Sequence, residues 1–125
     1  MKEIQISLYE ELKEHNLEYI YVKKSEIMKN LWELYKNNKK TVIIQNMEEK
    51  YKIFYKRGNS STDVMLENAI RIRFEGTCEE YENMRLRIKD EMDQKELVRK
   101  SDDFCKLIEV SFNDEFLVMD IYIAV

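Results

Sequence analysis

Apolar residues along the chain recur with two different periods, and the change between these periods marks the predicted elements. Spacing of three and four residues, which is typical of a helix with one buried face, holds over 25–36 and 77–100. Ser7 and Thr77 each begin a Ser/Thr-x-x-Glu pattern, in which two side chains can satisfy free backbone N–H groups at a helix start. We therefore predict a short first helix over 7–16, a second helix over 25–36 and a long third helix over 77–100.

Other segments alternate between apolar and polar residues, which is typical of β-strands with one buried face. The clearest is 69–75, where charged residues lie between isoleucine and phenylalanine positions. The segment 17–22 is rich in tyrosine and isoleucine and fits a short strand, but it also fits a continuation of the first helix. A polar loop is predicted at 58–61. The predicted strands are 17–22, 41–47, 51–57, 69–75, 104–112 and 116–125.

The order of these elements predicts an α+β fold in a single compact domain over 1–125. We expect an antiparallel β-sheet of about five strands, with two N-terminal helices and one long helix before a C-terminal β-hairpin. The short polar segments 48–50 and 113–115 favour hairpins, and repeated strand–helix units typical of a parallel sheet are missing from the sequence. The helices are expected mainly on one face of the sheet.

Charge is unevenly distributed along the chain. The 21 basic and 25 acidic residues give a net charge of -4. Residues 1–60 carry 12 basic and 9 acidic side chains, whereas 61–125 carry 9 basic and 16 acidic ones. An acidic chain is not typical of a general nucleic-acid coat protein. Its frequent Lys, Asn, Ile and Glu residues are typical of an AT-rich bacterial or phage genome.

Familiar catalytic and cofactor-binding motifs are missing from the sequence. One histidine, two cysteines and two glycines are too few for a clustered zinc site, a phosphate-binding loop or a serine-hydrolase motif. A pair of His15 with Cys78 or Cys105 stays open, as does an enzyme with paired carboxylates. The chain has no signal-peptide pattern and no apolar run long enough to span a membrane. We expect a cytoplasmic, non-catalytic protein without metal or cofactor.

The acidic second half supplies the leading functional hypothesis. Clustered carboxylates attract basic partners and can imitate the phosphates of a nucleic acid. The sequence therefore favours a small protein-binding module that blocks a basic partner surface, such as an inhibitor of the toxin-immunity or phage anti-defence type. The partner would be a nuclease or another nucleic-acid-binding protein. The expected contacts, with Tyr81 as an exposed anchor, are Glu79, Glu80, Tyr81, Glu82, Asp90, Asp93, Asp102 and Asp103.

The alternative is a nucleic-acid-binding regulator that uses a basic and aromatic sheet face. Aromatic rings can stack on bases while lysine and arginine neutralise phosphates, and the segment 50–57 combines both. The expected residues of this face are Lys50, Lys52, Lys56, Arg57, Arg71 and Arg73. A homodimer formed through an aromatic patch around Trp32 is a further possibility, although core packing is the commoner role for such residues.

Overall fold

The computed structural model describes residues 4–38, 41–56 and 61–125. Within these ranges the chain forms six β-strands and two α-helices, with one 3-10 turn at Lys24–Glu26 before the first helix. The fold is α+β, as predicted. The elements are β1 (Ser7–Lys23), α1 (Ile27–Asn38), β2 (Val42–Asn46), β3 (Lys50–Lys56), β4 (Thr62–Thr77), α2 (Cys78–Gln94), β5 (Asp103–Ser111) and β6 (Phe116–Ala124).

The strands pair in antiparallel fashion in the order β1-β3-β2-β5-β6-β4, and β4 pairs with β1 to close the ring. The described sheet thus has six strands where about five were expected. Closure depends on the two long strands. β1 pairs with β4 up to Leu17↔Thr62 and then with β3 as far as Lys23↔Lys50. The last six residues of β1 consequently pair only with β3.

The predicted first helix over 7–16 is wrong, because this segment is the first part of β1. In β1, Leu12 and Leu17 are buried among side chains from the other strands. Tyr9 and Asn16 have positive φ angles of 59° and 61° and lie where the β1–β4 register shifts. These irregularities break the strict alternation by which a strand is identified in a sequence. The prediction of a strand over 17–22 is confirmed.

The predicted long helix begins where expected but ends early. Thr77 accepts a hydrogen bond from the backbone N–H of Glu80, and the Glu80 side chain accepts one from the backbone N–H of Thr77. The helix stops at Gln94, and Glu96 lies beyond it at φ 57°. The N–H of Leu97 then bonds to the carbonyl of Met92 at 2.9 Å. This is a Schellman ending with glutamate in the place that glycine usually takes, so the sequence contains no stop signal there.

The two predicted hairpins are confirmed, and the strand over 69–75 is part of the longer β4. β6 lies between β5 and β4. Of the predicted loop over 58–61, only Ser61 lies within the described residues.

Two hydrophobic cores occupy the two faces of the ring. The larger core includes side chains from both helices, such as Leu31 and Ile88, packed on Ile44, Ile72 and Ile121 of the sheet. Since a ring of six strands has no room for a helix, this core lies outside it. The smaller core contains only strand side chains and fills the inside; its buried members are Leu12, Leu17, Ile43, Phe54, Val64, Leu66, Ala69 and Tyr122. Both helices therefore cover one outer face.

Candidate functional site

The acidic residues expected at an interface fall into exposed and buried groups. Glu79, Asp90 and Asp93 are exposed on α2. Glu80 is also exposed, but its carboxylate closes the capping box at the helix start. Asp102 is partly buried and accepts a hydrogen bond from the Gln45 side chain at 2.9 Å. The expected contact residues therefore do not form one continuous acidic surface.

Tyr81 is not the exposed anchor that the sequence favoured. Its side chain is only 3% exposed, because it lies on the face of α2 that packs against the sheet. The hydroxyl donates to Asp103 at 2.7 Å and accepts from the Asn46 side chain at 3.1 Å. Asp103 is fully buried as well. Both side chains are buried within the fold, so the expectation that Tyr81 is exposed is wrong.

Asp103 is the centre of a buried ionic network at the start of β5. Besides Tyr81, it accepts hydrogen bonds from Arg85 Nε at 3.1 Å and Arg99 Nη1 at 2.6 Å. Arg85 also binds the exposed Glu48 at 2.7 Å. Three donors satisfy the buried carboxylate, which explains how a charge is accommodated beneath α2. Arg85 and Arg99 are thereby fixed in position along one side of α2.

Glu82 links α2 to β3 and to the 3-10 turn that follows β1. Its carboxylate accepts hydrogen bonds from Tyr51 at 2.5 Å and Lys24 at 3.0 Å, and Arg85 lies 3.5 Å away. Burial raises the pKa of Glu82, but the hydrogen bonds from Tyr51 and Lys24 and the nearby positive charges outweigh it and lower the pKa below its usual value. Glu82 is therefore an ionised structural group.

The outward side of α2 carries a stripe of exposed residues. Glu79, Asn83, Leu86, Asp90 and Asp93 are separated by four, three, four and three positions, which places them on one side of a helix. Leu86 is 71% exposed although it is a large apolar residue in the middle of this stripe. Leu86 was not predicted as a surface residue, because the buried stripe around Ile88 already accounts for the helical period of the sequence. We call these five residues the α2 stripe.

A cleft lies beside the α2 stripe, with a volume of about 450 Å³. Leu86 and Asp93 of the stripe line it, together with Met92 and Leu97. Its other lining residues are charged: Glu48, Glu82, Arg85, Lys89 and Arg99. The volume is in the range of sites that accept a small molecule or a large side chain. Met92 and Leu97 thus form, together with Leu86, the apolar part of the cleft wall.

The basic residues expected on a sheet face also separate into two groups. Arg71 and Arg73 bind acidic side chains: Arg73 lies 2.6 Å from Asp120, and Arg71 lies 3.4 Å from Glu10. Lys50, Lys52 and Lys56 lie on β3, which β1 separates from β4, and Glu10 of β1 is one of the acidic partners of Arg71. Arg57 lies outside the described residues. The predicted basic face is therefore not continuous.

The candidate nucleophiles are not activated in the described structure. Burial raises the pKa of Cys78 to about 11, and complete burial raises that of Cys105 well above its usual value. His15 lies 3.3 Å from Asp63 on the exposed side of β1. No group of three or more His, Cys, Asp or Glu residues with metal-binding geometry occurs in the described part of the chain. No helix within it has the length and apolar character required to cross a membrane.

The chain was compared with curated proteins and with models of protein families. No curated protein matches it. A family model matches residues 3–125, which is nearly the whole chain and covers both the α2 stripe and the ionic network beneath it. The chain therefore belongs to the family described as "Family of unknown function (DUF5975)".

Proposed function

We propose that the protein is a small, non-catalytic binding module that inhibits a protein partner by covering a basic surface with the α2 stripe. The class we favour is an inhibitor of the toxin-immunity or phage anti-defence type, acting in the cytoplasm. The observation that carries the proposal is the exposed Leu86 with acidic side chains on both sides of it along one helix face.

The chemistry of the stripe fits the centre and rim of a protein interface. An apolar side chain in the centre contributes most when it enters a pocket, and charges around it select the partner and speed association. α2 contains six acidic and three basic residues. Arg85 is already bound by three carboxylates, so its charge is largely neutralised. The charge that remains outward is negative and fits lysine or arginine side chains of a partner.

The dimensions of the stripe support the same conclusion. From Glu79 to Asp93 the helix rises by about 21 Å, a length suited to one side of a standard protein interface. The cleft beside Leu86 gives the partner a place for an apolar side chain against Met92 and Leu97. The ionic network fixes α2 on the sheet, so little ordering is needed when a partner binds.

Capture of partners from nuclease-treated lysate of the source cells tests the proposal. Wild-type protein should retain a stoichiometric protein, while Leu86→Ser and the double variant Asp90→Lys/Asp93→Lys should lose it, with a decrease in affinity of at least about tenfold. The matched control is Glu67→Lys/Glu109→Lys, which makes the same change of charge at exposed positions on β4 and β5. A partner held equally by wild type and both α2 variants would contradict the proposal.

A further inference from the structure

A basic and aromatic patch lies where β1 continues beyond its pairing with β4. Tyr19 and Tyr21 are 45% and 52% exposed there. Across the β1–β3 ladder, Tyr21 is opposite Lys52 and Lys23 is opposite Lys50. Residues opposite each other in an antiparallel pair point to the same face, so these side chains share one surface. With Lys56 they form what we call the Tyr–Lys patch: Tyr19, Tyr21, Lys23, Lys50, Lys52 and Lys56.

The lysines of the patch lack acidic partners. Within the described part of the chain, none of the four forms an ion pair, whereas Arg71, Arg73, Arg85 and Arg99 all do. In a chain with more acidic than basic residues, four unneutralised ammonium groups on two adjacent strands form a local positive surface. Since charges beyond about 8 Å are largely screened at physiological salt, the sign of the local charge decides what binds there.

The ammonium groups rest on the exposed aromatic rings. Lys52 Nζ lies 4.0 Å from the centre of the Tyr19 ring, and Lys50 Nζ lies 4.4 Å from that of Tyr21. The two ring centres are 5.7 Å apart with planes at 74°. These contacts use solvent-exposed ring faces and flexible lysines, so a flat ligand can replace the ammonium groups. A displaced lysine would then reach an anionic group of the same ligand.

We propose that the Tyr–Lys patch binds single-stranded nucleic acid, with Tyr19 and Tyr21 stacking on bases and the lysines contacting phosphates. Tyrosine rings suit this ligand because every base has a face on which a ring can stack. Stacking on both Tyr19 and Tyr21 requires bases that are not stacked on each other, as in a single strand. A duplex does not offer such bases. The proposal concerns a different surface from the α2 stripe and does not depend on the inhibitor function.

The test is fluorescence anisotropy of the full chain with a labelled oligothymidylate of about twelve nucleotides. Tyr19→Ala and Tyr21→Ala should each weaken binding at least about fivefold. If the four lysines contact phosphates, log K should fall with log salt with a slope of about -3, and Lys52→Ala should reduce that slope by about 0.7. Tyr19→Phe should bind like wild type, because it keeps the ring.

Matched controls separate this site from general charge effects. Tyr9→Ala removes a tyrosine that is 86% exposed elsewhere on β1, and Lys29→Ala removes an exposed lysine on α1; both should leave binding unchanged. The Asp90→Lys/Asp93→Lys variant is measured in parallel. If it loses the protein partner but its oligonucleotide binding still depends on Tyr19 and Tyr21, the two functions belong to different surfaces. No saturable binding at low salt, equal affinity for a duplex, or tyrosine variants that bind like wild type would overturn the proposal.

Discussion

Asp103 shows what a single residue contributes to the candidate site. It is fully buried, yet its carboxylate accepts hydrogen bonds from Tyr81, Arg85 and Arg99. This arrangement holds α2 in place and positions the charged side of the cleft. In the sequence, Asp102 and Asp103 are two equivalent acidic residues in a loop, and nothing there indicates that only the second one is enclosed.

Replacing Asp103 with asparagine should destabilise the fold strongly. The variant keeps the shape of the side chain but leaves Arg85, whose side chain is 18% exposed, without its buried counterion. We expect the free energy of unfolding to fall by about 3 kcal/mol, measured by urea denaturation. Glu48→Gln is the control, because Glu48 is 70% exposed and its pair with Arg85 should contribute less than about 1 kcal/mol. Equal losses in the two variants would contradict the role given to Asp103.

At the scale of elements, β1 marks the limit of sequence prediction. Its residues 7–16 have a capping pattern and a mixture of leucine and charged residues that suit a helix. The decisive interactions are with β4, for example Leu12↔Leu66, which lies 54 positions further along the chain. By contrast, α2 was predicted correctly at its start because Thr77 and Glu80 form a local signal. A local sequence pattern predicts an element whose conformation depends on neighbouring residues, such as the start of α2. It fails for an element such as β1, whose conformation depends on pairing with a distant strand.

The bulge at Asn16 should depend on the residue that occupies it. Its φ of 61° suits asparagine or glycine, and its backbone N–H donates to Asp63 at 3.1 Å. Asn16→Gly should therefore leave the free energy of unfolding within about 0.5 kcal/mol of wild type, whereas Asn16→Val should lower it by about 1–2 kcal/mol. Lys13→Val, at an exposed β1 position without a positive φ, should be nearly neutral. Similar stability for the two Asn16 variants would show that this conformation does not constrain the strand.

At the scale of the whole molecule, the fold determines which charged side chains pair with each other and which stay exposed. The sequence showed an acidic second half, and a single acidic face was expected from it. Ion pairs within the fold instead occupy several of these carboxylates, as with Asp120 between Arg71 and Arg73 and Glu82 beside Lys24. Among the exposed charges, the α2 stripe presents acidic side chains and the Tyr–Lys patch presents basic ones. The sequence could not indicate that Tyr19 and Tyr21 are exposed, because this depends on the end of β1 pairing with β3 alone, beyond its last pair with β4.

Carboxyl groups whose pKa is lowered in the folded protein should set its acid stability. A hydrogen bond from Arg85 lowers the pKa of Glu48, and a backbone hydrogen bond from Asn16 lowers that of Asp63. The pKa of Glu82 is also lowered, although burial alone would raise it. A carboxyl group with a lowered pKa in the folded state binds fewer protons than in the unfolded chain. Its stabilisation is therefore complete above the unfolded pKa and is lost as the pH falls through the folded one.

We therefore expect the free energy of unfolding to decrease steadily from about pH 5 to about pH 3, and to change little from about pH 5 to about pH 7. Glu82→Gln should reduce the slope in the acid range, because the proton uptake by Glu82 on unfolding is removed. Glu109→Gln, which removes an exposed carboxylate without an ion pair among the described residues, should keep the wild-type slope. Urea denaturation at a series of pH values measures these slopes. If the free energy of unfolding of Glu82→Gln has the same slope with pH as wild type, then Lys24, Tyr51 and Arg85 do not lower the pKa of Glu82 below its value in the unfolded chain.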